Sequence, residues 1–210
     1  MGSSSKTTHD DFGQRMRASR WGAMLALLTI LFGFGLGGLF GALEGVLKGE
    51  LEARAEAVRD SVYAGDAEKQ KSVVDKSWSY YQRAHLHGGA IGVVSLCSIL
   101  LLASLRRPKN GLRSLIAWAL GIGGLGYASF WLLAARSAVQ LGSAGLAKDS
   151  LEWLAVPSAG LLLSGMGASQ RWRCSNGSRP PAKAPPEPEA VPRREKGRQE
   201  RGRVRFVNFS

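Results

Sequence analysis

The sequence predicts an all-α integral membrane protein: a four-helix bundle with a short extramembrane helical hairpin and a disordered tail. Three observations predict it. Residues 21–43, 84–105, 114–135 and 153–170 contain no Asp, Glu, Lys or Arg, although the 210-residue chain carries 28 basic and 16 acidic side chains. Apolar runs of about 18 residues or more can cross about 30 Å of hydrocarbon as helices, whereas a soluble domain scatters its charges along amphipathic elements. The longest charged segment between runs is rich in Ala, Glu, Lys and Arg, and six of the eight prolines crowd into residues 180–192. The mean hydropathy of -0.06 averages over this segregation and hides it. A soluble enzyme domain is excluded on this pattern. So is a secreted disulfide scaffold, because two cysteines make no framework.

Residues 1–20 form a polar lead that ends in Arg15, Arg17 and Arg20. The first run, 21–43, exceeds the roughly 7–15 apolar residues of a cleavable signal, and Glu44 stands where cleavage would be needed, so it reads as a retained signal-anchor helix. Residues 44–83 form an external helical hairpin that breaks near Ala64–Asp66. In it Glu44 and Lys48 have the favourable i, i+4 order, and Leu51, Ala55 and Val58 make an apolar strip facing Val73 or Val74. This hairpin is read as a solvated stalk of two to three turns. The second run, 84–105, is followed by the turn-rich loop RRPKNGLR, the third run 114–135, and a mixed loop over 136–152 that could lie along the interface. The fourth run, 153–170, is at the short limit for a span and contains Pro157, which predicts a kink or tilt. Residues 171–210 are a basic, Pro-rich tail without apolar periodicity, predicted to be disordered.

Orientation follows from Lys and Arg. The lead, the loop 106–113 and the tail hold 19, against 9 in the hairpin and the loop 136–152; with only Arg171, Arg173 and Arg179 of the tail near enough to count, the tally is 11 against 9, at higher density. Basic segments stay cytoplasmic, so both termini are placed inside, in a bacterial inner membrane. Trp21, Trp78, Tyr80, Tyr81, Trp131, Trp153 and Trp172 fall near the span ends, where aromatic anchors belong.

Two constellations could carry function. Gly33, Gly37, Gly41 and Gly45 recur every four residues, a spacing that lets another helix backbone approach closely in lipid. The contact could be internal packing or a homo-oligomer interface. The segment KSWSYYQRAHLHGG, residues 76–89, leads into the second run. On a helix Trp78, Tyr81 and His85 share one face and Arg83 and His87 another, so the two histidines stand about 200° apart and do not chelate one ion. Glu44, Lys48, Arg136 and Glu152 fall at the same outer level and complete a polar collar. That collar reads as salt bridges and headgroup contacts, with a metal, haem, small-ligand or proton-relay site as the competing reading.

The strings KSWSYY and RAHLHGG, after a glycine-rich span ending FGALEGVLKGEL, resemble a group of small bacterial multi-span membrane proteins with a Lys-x-Trp-x-Tyr…Arg-Ala-His-x-His pattern. That resemblance covers spans one and two and implies no activity. AHLH is also similar to the His-x-His of haem-copper oxidase catalytic subunits, in which two histidines on opposite faces bind two haems. This chain departs from that pattern, with His9 its sole further histidine and the other haem and copper ligands missing.

The sequence holds no GxxxxGK[ST], CxxC, HExxH or GxSxG, and no catalytic residue is assigned. The leading expectation is a structural or accessory membrane protein without a cofactor. The alternative is a haem, metal or small-ligand protein using His85, His87, Glu44 and Glu152, and a small transporter or channel component is third. Expected partners are the bilayer, anionic headgroups at the basic tail, and a second copy or a larger membrane complex. The RGRVRF end carries no recognisable nucleic-acid-binding fold.

Overall fold

Each of the first three uncharged runs lies inside a helix that continues well past it. The computed structural model describes the backbone of residues 4–177 and the side chains of residues 12–172, and among these there are six helices and no strand. They are α1 (Ser4–Glu56), α2 (Arg59–Val62), α3 (Ala67–Ser104), α4 (Asn110–Leu141), α5 (Ala144–Asp149) and α6 (Glu152–Gly177). Three, α1, α3 and α4, are long and apolar enough to cross a membrane, which is the architecture of a multi-pass membrane protein. With 38 residues, α3 is about 57 Å long at about 1.5 Å per residue, so it outruns the ~30 Å hydrocarbon layer by many turns. Leu31, Phe34 and Leu115 are more than 60% exposed, as side chains facing lipid tails can be.

Small residues set how the long helices meet. A Cβ on Gly33 of α1 would stand 2.2 Å from Gly89 N of α3, and one on Gly22 would stand 2.2 Å from Ala117 O of α4. Such separations are below any real contact, so glycine is required at both crossings. The pairings Gly33 with Gly88 and Ile30 with Gly92 make α1 and α3 antiparallel, whereas Gly22 with Ala117 and Leu25 with Gly121 make α1 and α4 parallel. α6 seats on α4 through Gly123, where a Cβ would stand 2.6 Å from Leu162 N. The core between them is Ala23, Ala26, Ile99, Leu102, Ile116, Ala117, Leu120 and Leu162.

α1 bends at Leu43 (φ -132°, ψ 24°), the last residue of its uncharged run. Beyond it the hairpin turns where expected: Ala64 and Gly65 take positive φ of 53° and 76°, and Asp66 caps α3 by accepting from Lys69 N at 2.9 Å. Leu51, Ala55, Val73 and Val74 pack together as the strip predicted. The solvated-stalk expectation is corrected, because Tyr63, Ala138, Val139 and Ala147 complete the same core. α4 runs six residues past its uncharged stretch, and α5 folds the following loop back onto the hairpin. The Tyr63 hydroxyl donates to Val139 O at 2.7 Å and Ser77 donates to Ala135 O, which joins the hairpin to the end of α4. Burial pushes the Tyr63 phenol above its ordinary pKa.

α6 differs from the expectation of a short span. Its run is diluted by Ser, Gly and Gln and does not reach the apolarity of the other three, and Pro157 lies inside the helix. It also continues through Gly177, so residues 171–177, expected to be disordered, are helical. Residues 178–210 of the expected disordered tail lie outside the described residues.

Candidate functional site

The segment predicted to be richest in polar chemistry occupies the middle of α3, and its two faces meet two different helices. His85 turns toward α1. Its Nδ1 lies 2.7 Å from Gly33 O, a distance at which Nδ1 carries the proton and donates to the carbonyl. The imidazole lies over Gly37, where an added Cβ would stand 2.5 Å from Cε1, so Gly37 makes room for a ring rather than for a helix backbone. Phe40 stands one turn further on, edge-on to His85 at 5.8 Å and also in contact with Trp78 at 5.2 Å and Tyr81 at 6.3 Å. Trp78, Tyr81 and His85 thus share one face, as their spacing predicts, and Phe40 is the residue they share it with.

His87 turns toward α4. It stacks on Trp131 at 5.9 Å and meets Tyr127 edge-on at 5.4 Å. The Arg83 guanidinium lies 4.9 Å from the Trp131 ring and 5.4 Å from Tyr80, a cation–π arrangement that also shields the buried indole. Trp131 Nε1 is buried without a hydrogen-bond partner.

Among the described residues the collar meets across helices through rings, and the ion pair it holds, Lys48 with Glu44, lies within α1. Among the described residues the ion pairs are all local to one turn: Lys48 with Glu44 at 2.6 Å, Arg54 with Glu50, and Arg59 with Glu56 at 3.1 Å. Lys48 also lies 4.9 Å from the Trp78 ring. Arg136 is exposed at the level of Tyr81, and Glu152 is exposed in the first turn of α6. Glu44, Glu152, His85 and His87 are therefore not gathered into one site. Among the described residues no three His, Cys, Asp or Glu side chains converge as metal ligands would. Chemically the arrangement offers ring stacking, three cation–π contacts and one imidazole hydrogen bond to a backbone carbonyl.

The glycine series divides in two. Gly33 and Gly37 are contact residues, whereas Gly41 and Gly45 are exposed and a Cβ on either would meet nothing within 4 Å. Phe40, Tyr127 and Phe130 were missed as partners of the histidine segment. The α4 set could have been found from its i, i+3, i+4 spacing with Trp131, which places Tyr127, Phe130 and Trp131 on one face. No family model, curated protein or solved structure matches the chain.

Proposed function

We propose that the chain is a structural or accessory protein of a bacterial inner membrane, with four crossings and both termini in the cytoplasm, and that His85 and His87 serve packing rather than a cofactor. One observation carries this reading: each histidine is spent on a different neighbouring helix, His85 on the Gly33 carbonyl of α1 and His87 on the Trp131 ring of α4. A shared metal or haem would need them, or outside donors, to converge. α6 is the fourth crossing, its shorter apolar run supported by its seat on α4 at Gly123. The exposed glycines at Gly41 and Gly45 leave a face open to a second copy or another membrane protein, and the basic tail favours anionic headgroups.

The test uses full-length protein from cells supplied with haem precursors and metals. The reading expects neither a Soret band nor metal approaching one per chain. A Soret band or stoichiometric metal that disappears in His85→Ala or His87→Ala while the helices persist would overturn it. Reporter fusions at Asp60, Asn110 and Ser210 test the topology separately, with an external signal expected at Asp60 alone.

A further inference from the structure

The end of the molecule opposite the hairpin gathers positive charge, and among the described side chains no carboxylate meets it. Arg113, in the first turn of α4, is 1% exposed. Its Nε donates to Leu102 O at 3.3 Å, one terminal nitrogen to Leu105 O at 2.9 Å, and the other to Asn110 Oδ1. These bonds satisfy carbonyls at the end of α3 and use three of the five guanidinium donors, leaving two N–H groups over and no ion pair to the charge among the described residues. Between Phe12 and Leu43, and again between Lys76 and Lys148, the sequence contains no Asp or Glu.

Two further groups at the same level want a partner. Ser19 is 1% exposed and its hydroxyl has no hydrogen-bond partner, and Arg15 Nε is buried without one. Gly22 lies on Ala117 in the parallel pair α1 and α4, so Ser19 and Arg113, one turn earlier on each helix, come to one level. Arg15 is one turn before Ser19 on the same face and close enough to Arg113 to repel it. α4 begins there as well, with neither a side-chain cap nor an acidic residue in its first turn, so its amino-terminal N–H groups add to the positive potential. Two neighbouring guanidinium groups, a buried hydroxyl and a helix start, with no acid among the described residues beside them, form a place that a dianion or monoanion stabilises and a cation does not.

We propose that Arg15, Ser19 and Arg113 bind the phosphate of an anionic phospholipid. The membrane reading enters only in naming a lipid as the source; the anion site itself rests on the arginine and serine geometry.

The test is thermal stabilisation of the full chain in a phosphate-free, uncharged detergent, titrated with short-chain phosphatidylglycerol, phosphatidylcholine or inorganic phosphate. Saturable stabilisation by phosphatidylglycerol is expected, with an apparent affinity falling about tenfold or more in Arg15→Gln and several-fold in Ser19→Ala, as loss of charge-assisted bonds implies. Both variants keep the bonds of Arg113 to α3, so they are expected to fold, and helical content checks this. Arg201→Gln, in the basic tail, is expected to change the affinity by less than about twofold, as one solvent-screened charge outside the site does. Equal losses in Arg15→Gln and Arg201→Gln would reduce the effect to general surface charge and overturn the site. Equal stabilisation by phosphatidylcholine would overturn the anion requirement. Inorganic phosphate acting as strongly as the lipid would overturn the lipid assignment in favour of a soluble phosphate. Binding absent from the natural sequence but present in Asp11→Asn would mean that the chain's own carboxylate fills the site, which also overturns the proposal.

Discussion

At Gly33 the backbone of α1 lies so close to α3 that an added Cβ would stand 2.2 Å from Gly89 N, while eight residues on, at Gly41, the same addition would meet nothing within 4 Å. Both glycines belong to one series with the same four-residue spacing. The helix itself separates them. At 100° per residue a four-residue repeat drifts by about 40° at each step, so Gly41 points about 80° and Gly45 about 120° away from Gly33. The face that α1 presents to its neighbours instead follows Ser19, Gly22, Ala26, Thr29 and Gly33, whose alternating steps of three and four stay close to the helical repeat of about 3.6. The facing chain reinforces the drift, because Gly33 meets Gly88 and Gly89, Gly37 meets the His85 ring, and Phe40 meets Trp78 and Tyr81. Large rings replace glycines along α3 as α1 approaches its bend at Leu43. A glycine repeat in a membrane helix thus marks several directions at once, and only those on the 3.6-residue face are committed within the chain.

The largest effect is expected from leucine in the committed half. Gly33→Leu and Gly22→Leu must drive two helix backbones apart, and overpacking of this kind exceeds the usual ~1–3 kcal/mol because no flexible side chain can yield. Loss of the cooperative thermal transition in detergent is the expected readout. Gly41→Leu and Gly45→Leu should leave that transition within about 0.5 kcal/mol, as exposed substitutions do. A collapse at Gly41 would show that the open face is occupied, and a change in oligomer size on sedimentation would name a second copy as the occupant.

Next in size are the ties between the hairpin and α4. Val139 O and Ala135 O accept from Tyr63 and Ser77 on elements that a free stalk would not touch. Tyr63→Phe and Ser77→Ala should each destabilise by about 1 kcal/mol, the ordinary net value of a buried hydrogen bond, with more where the bared carbonyl stays dry. Unchanged melting in both would return the hairpin to the role of a solvated stalk.

How much of this was legible follows from the same comparison. Periodicity and charge placed every long helix, and the 200° separation of His85 and His87 sent them to different neighbours, as found. Local pairs such as Glu44 with Lys48 were readable because the i, i+4 rule concerns one helix only. Contacts between helices were not readable. Which glycine faces which backbone depends on crossing angle and register, and the burial of Arg113 depends on where α3 ends, neither of which a single sequence states. The rings of α4 stayed hidden for the same reason, and the packed hairpin was missed because α4 and α5 contribute three of the eight residues of its core.

A smaller effect is expected from pH. Burial raises the Tyr63 pKa, so the folded state favours the neutral phenol. Its contribution is fully present below the unfolded value near 10 and is lost as pH rises through the higher folded value. The stability difference between the natural sequence and Tyr63→Phe should therefore be constant from pH 7 to 9 and shrink above about pH 10. A difference that grows with alkalinity would contradict the buried, neutral tyrosine.

The most direct measurement sets Gly33→Ala beside Gly41→Ala in one thermal-denaturation series in the same detergent. A single methyl group is added to each half of the series, and alanine is the better helix former by up to about 1 kcal/mol. Opposite signs are predicted: Gly41→Ala melts at or above the natural sequence, and Gly33→Ala melts well below it because its Cβ has no room beside Gly89. Equal shifts in the same direction would contradict the division of α1 into a committed face and an open one.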